Sequence, residues 1–422
     1  MKNILLIDYG ASRVKSITFS LEQNKMQGCE FYSKGSSYYG NKVKNTFFSN
    51  TLIKHLKEAN KKFDITGVII CSEMHGFCYK YKNFLSDYFS WRFNLSDTSN
   101  LIKIIKNKAW FKDLNIYPRG GLPIVSLFSM GNKKLLKNNT EILFLPQVIC
   151  NNLGKHYAKV HPTLGQSSGL YLKNQDICKI LKTEIKLPEY TSDDFPLIGE
   201  VSFKNKTLPV WGGYGDLQTA LYNIKANTWN INLGTGSQVA SISNKTLRGF
   251  ESRAFFNNQV IQCITHLPAG RSLNLIANLL KDIREDEDNS YFWNKAKSLN
   301  FKKSFIKNHK MDIDLNFFEQ NRYFNSGGYI KGIKQDNFKI NDIITSIILA
   351  MMKNFTDIIL KSSSVHKKAP IYIYGHLANQ IPSIKNIIKF NTNRHVIVKK
   401  YLISPTLINM KTILLKNLSK IN

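Results

Sequence analysis

The sequence predicts an α/β protein of two domains, and three observations carry that expectation. Strand-length hydrophobic runs alternate with stretches of helical spacing throughout, which calls for mixed α/β layers. At 422 residues the chain exceeds the size at which a single core usually keeps growing. Two short elements in distant parts of the chain, ILLIDYGASRVKS and GGYGDLQTALYNI, each set a carboxylate (Asp8, Asp216) beside glycines. Acid and glycine joined at two distant points favour closing on a phosphorylated ligand in a cleft over acting as a scaffold.

The elements follow in order. NILLID (3–8) reads as a buried strand, and VKSITFSL resumes after the turn at Gly10, giving a hairpin. ITGVIIC (65–71) and EILFLP (141–146) are further apolar runs, the second ended by Pro146. TLPVWGGYGD runs from a strand edge into a glycine-rich turn, and LQTALYNI then has helical spacing. TWNINLGTGSQVASIS reads as two strands around the turn at 234–236, and QVIQCITHLP (259–268) as another strand. SLNLIANLLKDI is an amphipathic helix with Ser272 as its N-terminal signal. Residues 281–325 are the least periodic stretch, read as surface helices and loops. KINDIITSIILAMMKNFTDIILKSS (339–363) is the longest helical pattern, followed by strands at 369–375 and 395–400. The expected division is 1–224 and 225–422, two halves each opening on a glycine hairpin.

Composition bounds the partners. The net charge is +30, yet only nine of the 59 basic residues are Arg. Lysines spread among asparagines make a solvated face. Arg, the usual choice for bidentate phosphate and guanine contacts, is scarce. That argues against specific nucleic-acid recognition, although such charge attracts anions and binds nucleic acid nonspecifically at low salt. No 18-residue apolar run marks a membrane span, and the N-terminus lacks the cleavage site of a signal peptide. Six scattered cysteines without a C-x-x-C read as free buried thiols in a reducing, cytoplasmic compartment.

The candidate chemistry lies in four places. Asp8 ends a buried strand, where ligands bind in α/β folds, and Gly10 lets the turn present N–H groups to phosphate. Ser12 and Lys15 could add a hydroxyl and a positive charge; the bland alternative for Asp8 is an ordinary acidic turn residue. Asp216 fits a general base that accepts the proton of a substrate hydroxyl during in-line phosphoryl transfer, or else a helix cap. Gly234, Thr235 and Gly236 would cradle phosphate, or simply turn a hairpin. His75, in Glu73-Met74-His75-Gly76, is placed to meet a sugar hydroxyl or to sit satisfied in the core. Only Cys71 and Cys78 lie near it at metal-ligand spacing, which argues against zinc.

Together these residues resemble the FGGY carbohydrate kinases, closest to the xylulokinase and sedoheptulokinase branch. The family's opening Asp-x-Gly-Thr-x-x-x-Lys stands here as Asp8-Tyr9-Gly10-Ala11-Ser12-Arg13-Val14-Lys15, and its Gln-Met-His-Gly as Glu73-Met74-His75-Gly76. LFLP falls at 143–146, and the Gly-Gly-x-x-Asp segment runs from Gly212 to Asp216. The phosphate loop is at 234–236, THLPAGRSLN at 265–274, SGGYIKGI at 326–333 and the adenosine-side loop IYIYGHLANQIPSI at 371–384. The similarity runs nearly end to end.

The resemblance implies a two-domain actin-like (ribonuclease H-like) ATPase fold with a ligand cleft between the domains. It implies ATP-dependent, Mg²⁺-assisted transfer of the γ-phosphoryl group to a hydroxyl of a sugar, ketose or polyol. Asp216 would be the base, and Asp8 and Asp216 would place the metal. Gly10, Ser12, Lys15, Gly234, Thr235 and Gly236 would serve the phosphates, and Gly375 and Asn379 the adenosine. Met74, His75, Trp91 and Asp216 would face the sugar. A homodimer is a further family expectation. The chain departs from the family in four places. Ala11 replaces a threonine, and Trp91-Arg92-Phe93-Asn94-Leu95 lacks the Asp and Arg of Trp-x-Asp-x-Arg. The adenosine loop keeps one glycine beside His376, and Met410 stands where glycine or alanine is usual. These departures motivate the alternative, a relative that binds sugar or nucleotide in a regulatory role with little or no transfer.

Overall fold

The structure, a computed structural model, describes residues 2–93, 98–170, 174–234, 236–243, 245–299, 301, 311–317, 327–362 and 368–421. The chain divides into two compact units. One comprises Met1–Ile224, Ser252–Val260 and Tyr401–Asn422, and the other Lys225–Glu251 and Ile261–Lys400. Residues 252–260 and 401–422, grouped with the second half in the sequence division, thus lie in the first unit.

The first unit is built on a seven-stranded sheet. Its strands are β1 (Asn3–Tyr9), β2 (Arg13–Ser20), β3 (Lys25–Lys34), β4 (Ile65–Ser72), β5 (Gly154–His156), β6 (Leu197–Phe203) and β7 (Lys206–Gly215), in the order β5-β6-β7-β4-β1-β2-β3. β1 pairs antiparallel with β2, as the hairpin reading expects, and parallel with β4; β4 pairs parallel with β7. Every residue of β1 is buried, as a central strand covered on both faces requires. Helices α1 (Thr46–Ala59) and α2 (Leu145–Leu153) cover one face, where Phe48, Leu52, Val148 and Ile149 join Leu5, Ile7, Val68 and Ile70 in the core. The short α3 (Asp216–Ala220) follows β7, and the C-terminal helix (Pro405–Lys416) packs against α3 and β1.

The glycines of TLPVWGGYGD lie inside β7, correcting the expected turn. Gly212 and Gly213 have φ of 96° and 70°, and the register with β4 shifts between Gly212 and Tyr214. They form a bulge, which needs the left-handed backbone that glycine adopts without strain.

In the second unit, β8 (Trp229–Asn232), β9 (Ser237–Ile242), β10 (Val260–Leu267), β11 (Ile371–Tyr374) and β12 (Val396–Val398) run in the order β10-β9-β8-β11-β12. β8 and β9 are the expected antiparallel hairpin, while β8, β11 and β12 are mutually parallel. Helix α4 (Gly270–Arg284) starts two residues before Ser272, whose hydroxyl donates to the Leu315 carbonyl (2.9 Å) and does not cap the helix. Helix α5 (Ile340–Lys361) is long and apolar enough, by length and composition alone, to cross a membrane, which the run-length reading missed. Here it is the central core helix of its unit, burying Ile344, Ile347, Ile348, Met351, Phe355 and Ile359. Helices α6 (His376–Gln380) and α7 (Ile384–Thr392) lie between β11 and β12 in the chain. All six cysteines are free; Cys29 is exposed and Cys178 half-buried, so the expectation of buried thiols holds for the other four.

Candidate active site

Three neighbouring parallel strands of the first unit end together. Register pairs Asp8 with Cys71, Tyr9 with Ser72, and Gly215 with Ser72. Asp8, Glu73 and Asp216 therefore emerge at the carboxyl ends of β1, β4 and β7, the edge where ligands bind in α/β sheets. The topology alone brings the two acids of the sequence analysis together.

Asp8 is buried, 2% exposed. Thr406 at the start of the C-terminal helix donates to its Oδ2, and the Lys15 ammonium lies 3.6 Å from the same oxygen. Lys15 also donates to Ser404 Oγ (3.2 Å), and the Ser404 N–H donates to Glu30. Asp8 Oδ1 is buried with no hydrogen-bond partner among the described residues. An orphaned carboxylate oxygen of this kind is what a hard cation takes. The adjoining turn is tight: a Cβ on Gly10 would lie 2.8 Å from the Arg13 carbonyl oxygen. Ser12 is exposed beside it.

Asp216 opens α3 and keeps partial solvent access. Its Oδ1 accepts from the N–H of the next residue, Leu217 (2.8 Å), while the N-cap position belongs to Gly215 and carries no side-chain cap. Its carboxyl is pushed up from the ordinary 3.8 to about 7, first by loss of hydration and then by the charge of Asp8, with Glu73 adding to both. The Leu217 N–H and the Arg253 guanidinium pull the other way. A base with its pKa near the working pH suits proton abstraction from an alcohol.

The Glu73–Gly76 element sits beside this pair. Glu73 is buried and accepts from Ser36 Oγ (2.8 Å), and Arg92 reaches both, at 3.5 Å from Glu73 Oε2 and 2.9 Å from Ser36 Oγ. Burial raises the Glu73 carboxyl, and Arg92 is the largest of the effects opposing that rise. Arg92 also stacks over Trp91, 5.2 Å from its ring centre. His75, at a φ of 68°, receives a hydrogen bond at Nε2 from Arg119 (3.1 Å). Guanidinium only donates, so Nε2 holds a lone pair and the imidazole is neutral. Met74 is buried, and its sulfur would lie 2.8 Å from a Cβ placed on Gly215. Met74 thus stands beside the residue before Asp216, while Trp91 lies against Arg92 and Glu73 and His75 against Arg119. Asn94 and Leu95 of the Trp-x-Asp-x-Arg counterpart lie outside the described residues.

The second unit builds a different arrangement at the carboxyl ends of β8 and β11. Gly375 follows β11 with φ 104°, and a Cβ there would overlap the Leu233 carbonyl. That carbonyl accepts from the Leu377 N–H (3.1 Å), and the Gly234 carbonyl accepts from Gly270 at the start of α4 (3.2 Å). Gly234 and Gly375 are therefore brought together, while Gly236 faces open space. Asn379 and His376 are exposed on α6. Thr235 lies outside the described residues.

Sequence reasoning missed Ser36, Arg92, Arg119, Arg253 and Thr406. Arg92 alone carried a signal: it adjoins the tryptophan of a motif whose charged residues are missing. The others converge from distant parts of the chain, Thr406 across 398 positions from Asp8. No group of three or more His, Cys, Asp or Glu side chains arranged to hold a metal occurs among the described residues, so a cation here would share the two aspartates with substrate oxygens and water.

No family model matches the chain, and neither does any curated protein. Solved structures do. The chain is similar to the gluconate kinase from Lactobacillus acidophilus at 14% identity and a TM-score of 0.81, covering 99% of this chain and 90% of that one. Xylulose kinase from Lactobacillus acidophilus gives 15% identity and 0.80 over 100% and 90% of the two chains. Plasmodium falciparum glycerol kinase with ADP gives 14% and 0.75 over 98% and 89%. At such identities the likeness is one of fold: the chain has the two-domain α/β architecture of carbohydrate kinases, the FGGY/actin-like ATPase fold.

Proposed function

We propose that the protein is an ATP-dependent carbohydrate kinase that transfers the γ-phosphoryl group of ATP to a hydroxyl of a sugar, ketose or polyol. The observation that carries this reading is the pair Asp8–Asp216: a carboxyl poised at about 7 beside a second acid with an orphaned oxygen. Asp216 takes the proton of the acceptor hydroxyl as that oxygen bonds to the γ-phosphorus and ADP departs, so the proton ends on the carboxylate. Asp8 and Asp216 would hold Mg²⁺, which when bound neutralises charge on the phosphates. Gly10, Ser12 and Lys15 offer N–H groups, a hydroxyl and an ammonium to phosphate oxygens, and the Gly234 and Gly236 turn offers further N–H groups. Gly375 and Asn379 serve the adenosine side; the ADP named with the glycerol kinase supports nucleotide use on this fold.

Met74, His75 and Trp91 form the acceptor wall. The neutral His75 can exchange hydrogen bonds with hydroxyls, and Arg92 and Arg119 supply cationic donors beside Glu73 and His75. The same wall favours the second reading, a regulatory relative with little transfer, because Arg92 is already engaged by Glu73 and Ser36. The two readings separate on one assay, ADP release with ATP and Mg²⁺ across sugars, polyols and heptoses. Acceptor-dependent ADP release supports the kinase. Ligand binding by calorimetry with no release on any acceptor supports the regulatory relative.

A further inference from the structure

The segment His161–Ser168 (HPTLGQSS) contains no residue singled out from the sequence, yet it touches both sides of the acceptor site. Thr163, fully buried, brackets Asp216. Its hydroxyl oxygen accepts from the Gly215 N–H (3.2 Å), immediately before the acid. Its carbonyl accepts from the Gln218 side chain (3.1 Å), two residues after it. Ser167 donates to the sulfur of Met74 (3.4 Å). Gly215 closes the cluster, because a Cβ there would lie 2.7 Å from the Thr163 carbonyl oxygen and 2.8 Å from Met74 Sδ.

The Thr163 hydroxyl is itself oriented. The Thr163 N–H donates to His161 Nδ1 (3.3 Å), so that nitrogen holds a lone pair and the ring proton sits on Nε2, 3.5 Å from Asp194 Oδ1. The hydroxyl, 2.7 Å from Nδ1, must then donate to it, which leaves its own lone pairs for Gly215. Asp194 is fixed in turn by the Asn257 N–H, 3.1 and 2.9 Å from its two oxygens. Burial keeps His161 below its ordinary range, so the neutral tautomer persists.

We propose that Thr163, oriented by His161 and Asp194, is a positioning residue that aligns Asp216 with the acceptor wall. This rests on Asp216 being the base, but the mechanical part of it is testable without turnover. Thr163→Val keeps the shape and removes the hydroxyl. Hydrogen exchange read by mass spectrometry over residues 212–221 is expected to speed by about tenfold or more in that variant, with the second unit unchanged and Thr163→Ser restoring protection. In turnover, kcat falls on the order of 10²-fold, the KM for ATP stays put, and serine rescues. Unchanged exchange in Thr163→Val overturns the proposal, as does wild-type kcat in that variant. A wild-type chain that transfers no phosphate would overturn the kinase reading alone, since the exchange comparison would still decide the clamp. Should the valine variant not fold, Thr163→Ala against Thr163→Ser carries the same comparison.

Discussion

The two units build their strand ends from different materials. In the first, charged side chains do the work: Asp8, Glu73 and Asp216 stand at three adjacent strand ends, countered by Lys15, Arg92 and Arg253. In the second, backbone does it: Gly375 is packed so closely that a Cβ would meet the Leu233 carbonyl, while Gly234 and Gly236 stand in open turn backbone at the ends of β8 and β11. A side-chain site depends on partners that neutralise one another, whereas a glycine site depends on the absence of a Cβ. The two should therefore fail in different ways.

The largest expected effect is on the charged side. Arg92→Met strands the buried Glu73 carboxylate and should cost about 3 kcal/mol in chemical unfolding. In a Glu73→Gln background the same change should cost much less, because no charge is left behind. Equal losses in both backgrounds would show that the ion pair does not govern this wall.

On the backbone side, Gly375→Ala meets both a φ of 104° and the Leu233 carbonyl, and should cost about 1–3 kcal/mol and weaken ADP binding measured by calorimetry. Gly236→Ala, with open space around it, should stay within about 0.5 kcal/mol of wild type. Similar behaviour of the two variants would contradict the contrast drawn between the positions.

The smaller effects concern pH. Asp216 is raised from 3.8 to about 7 in the fold, so the folded state binds its proton more tightly than the unfolded chain does. Stability from this group falls as pH rises from about 4 to about 7, and the penalty is complete above that range. Asp216→Asn should accordingly stabilise the protein at pH 8, on the order of 1–2 kcal/mol, and do little near pH 4. Turnover should rise through about pH 7 as the base loses its proton. Asp8→Asn, by removing the second-largest cause of the shift, should move that limb to lower pH in whatever activity remains.

The parts legible in the sequence were those encoded locally. A run of apolar residues ending in Asp8 and a glycine marks a strand end, and the hairpins at Gly10 and 234–236 follow from short-range pattern. Asp216 was visible because three glycines precede it within four positions. Their role was not: a glycine pair reads equally as a turn or a bulge until the strand's neighbours are known. Ser272 has the right residue type for a helix start, but its hydroxyl goes to Leu315. Thr406, Arg119 and Thr163 reach the site through tertiary packing alone, and no local pattern distinguishes them from other polar residues. The return of the C-terminal helix to the first unit has the same origin, since Asn409 donates to the Thr219 carbonyl (2.8 Å) far back in the chain.

The central claim is that Asp216 is the base of a phosphoryl transfer. Its most direct test is Asp216→Asn, assayed for acceptor-dependent ADP release and, in parallel, for ADP binding by calorimetry. Release should fall by about 10²–10⁴-fold while ADP affinity is preserved. Undiminished release in the asparagine variant would contradict the account.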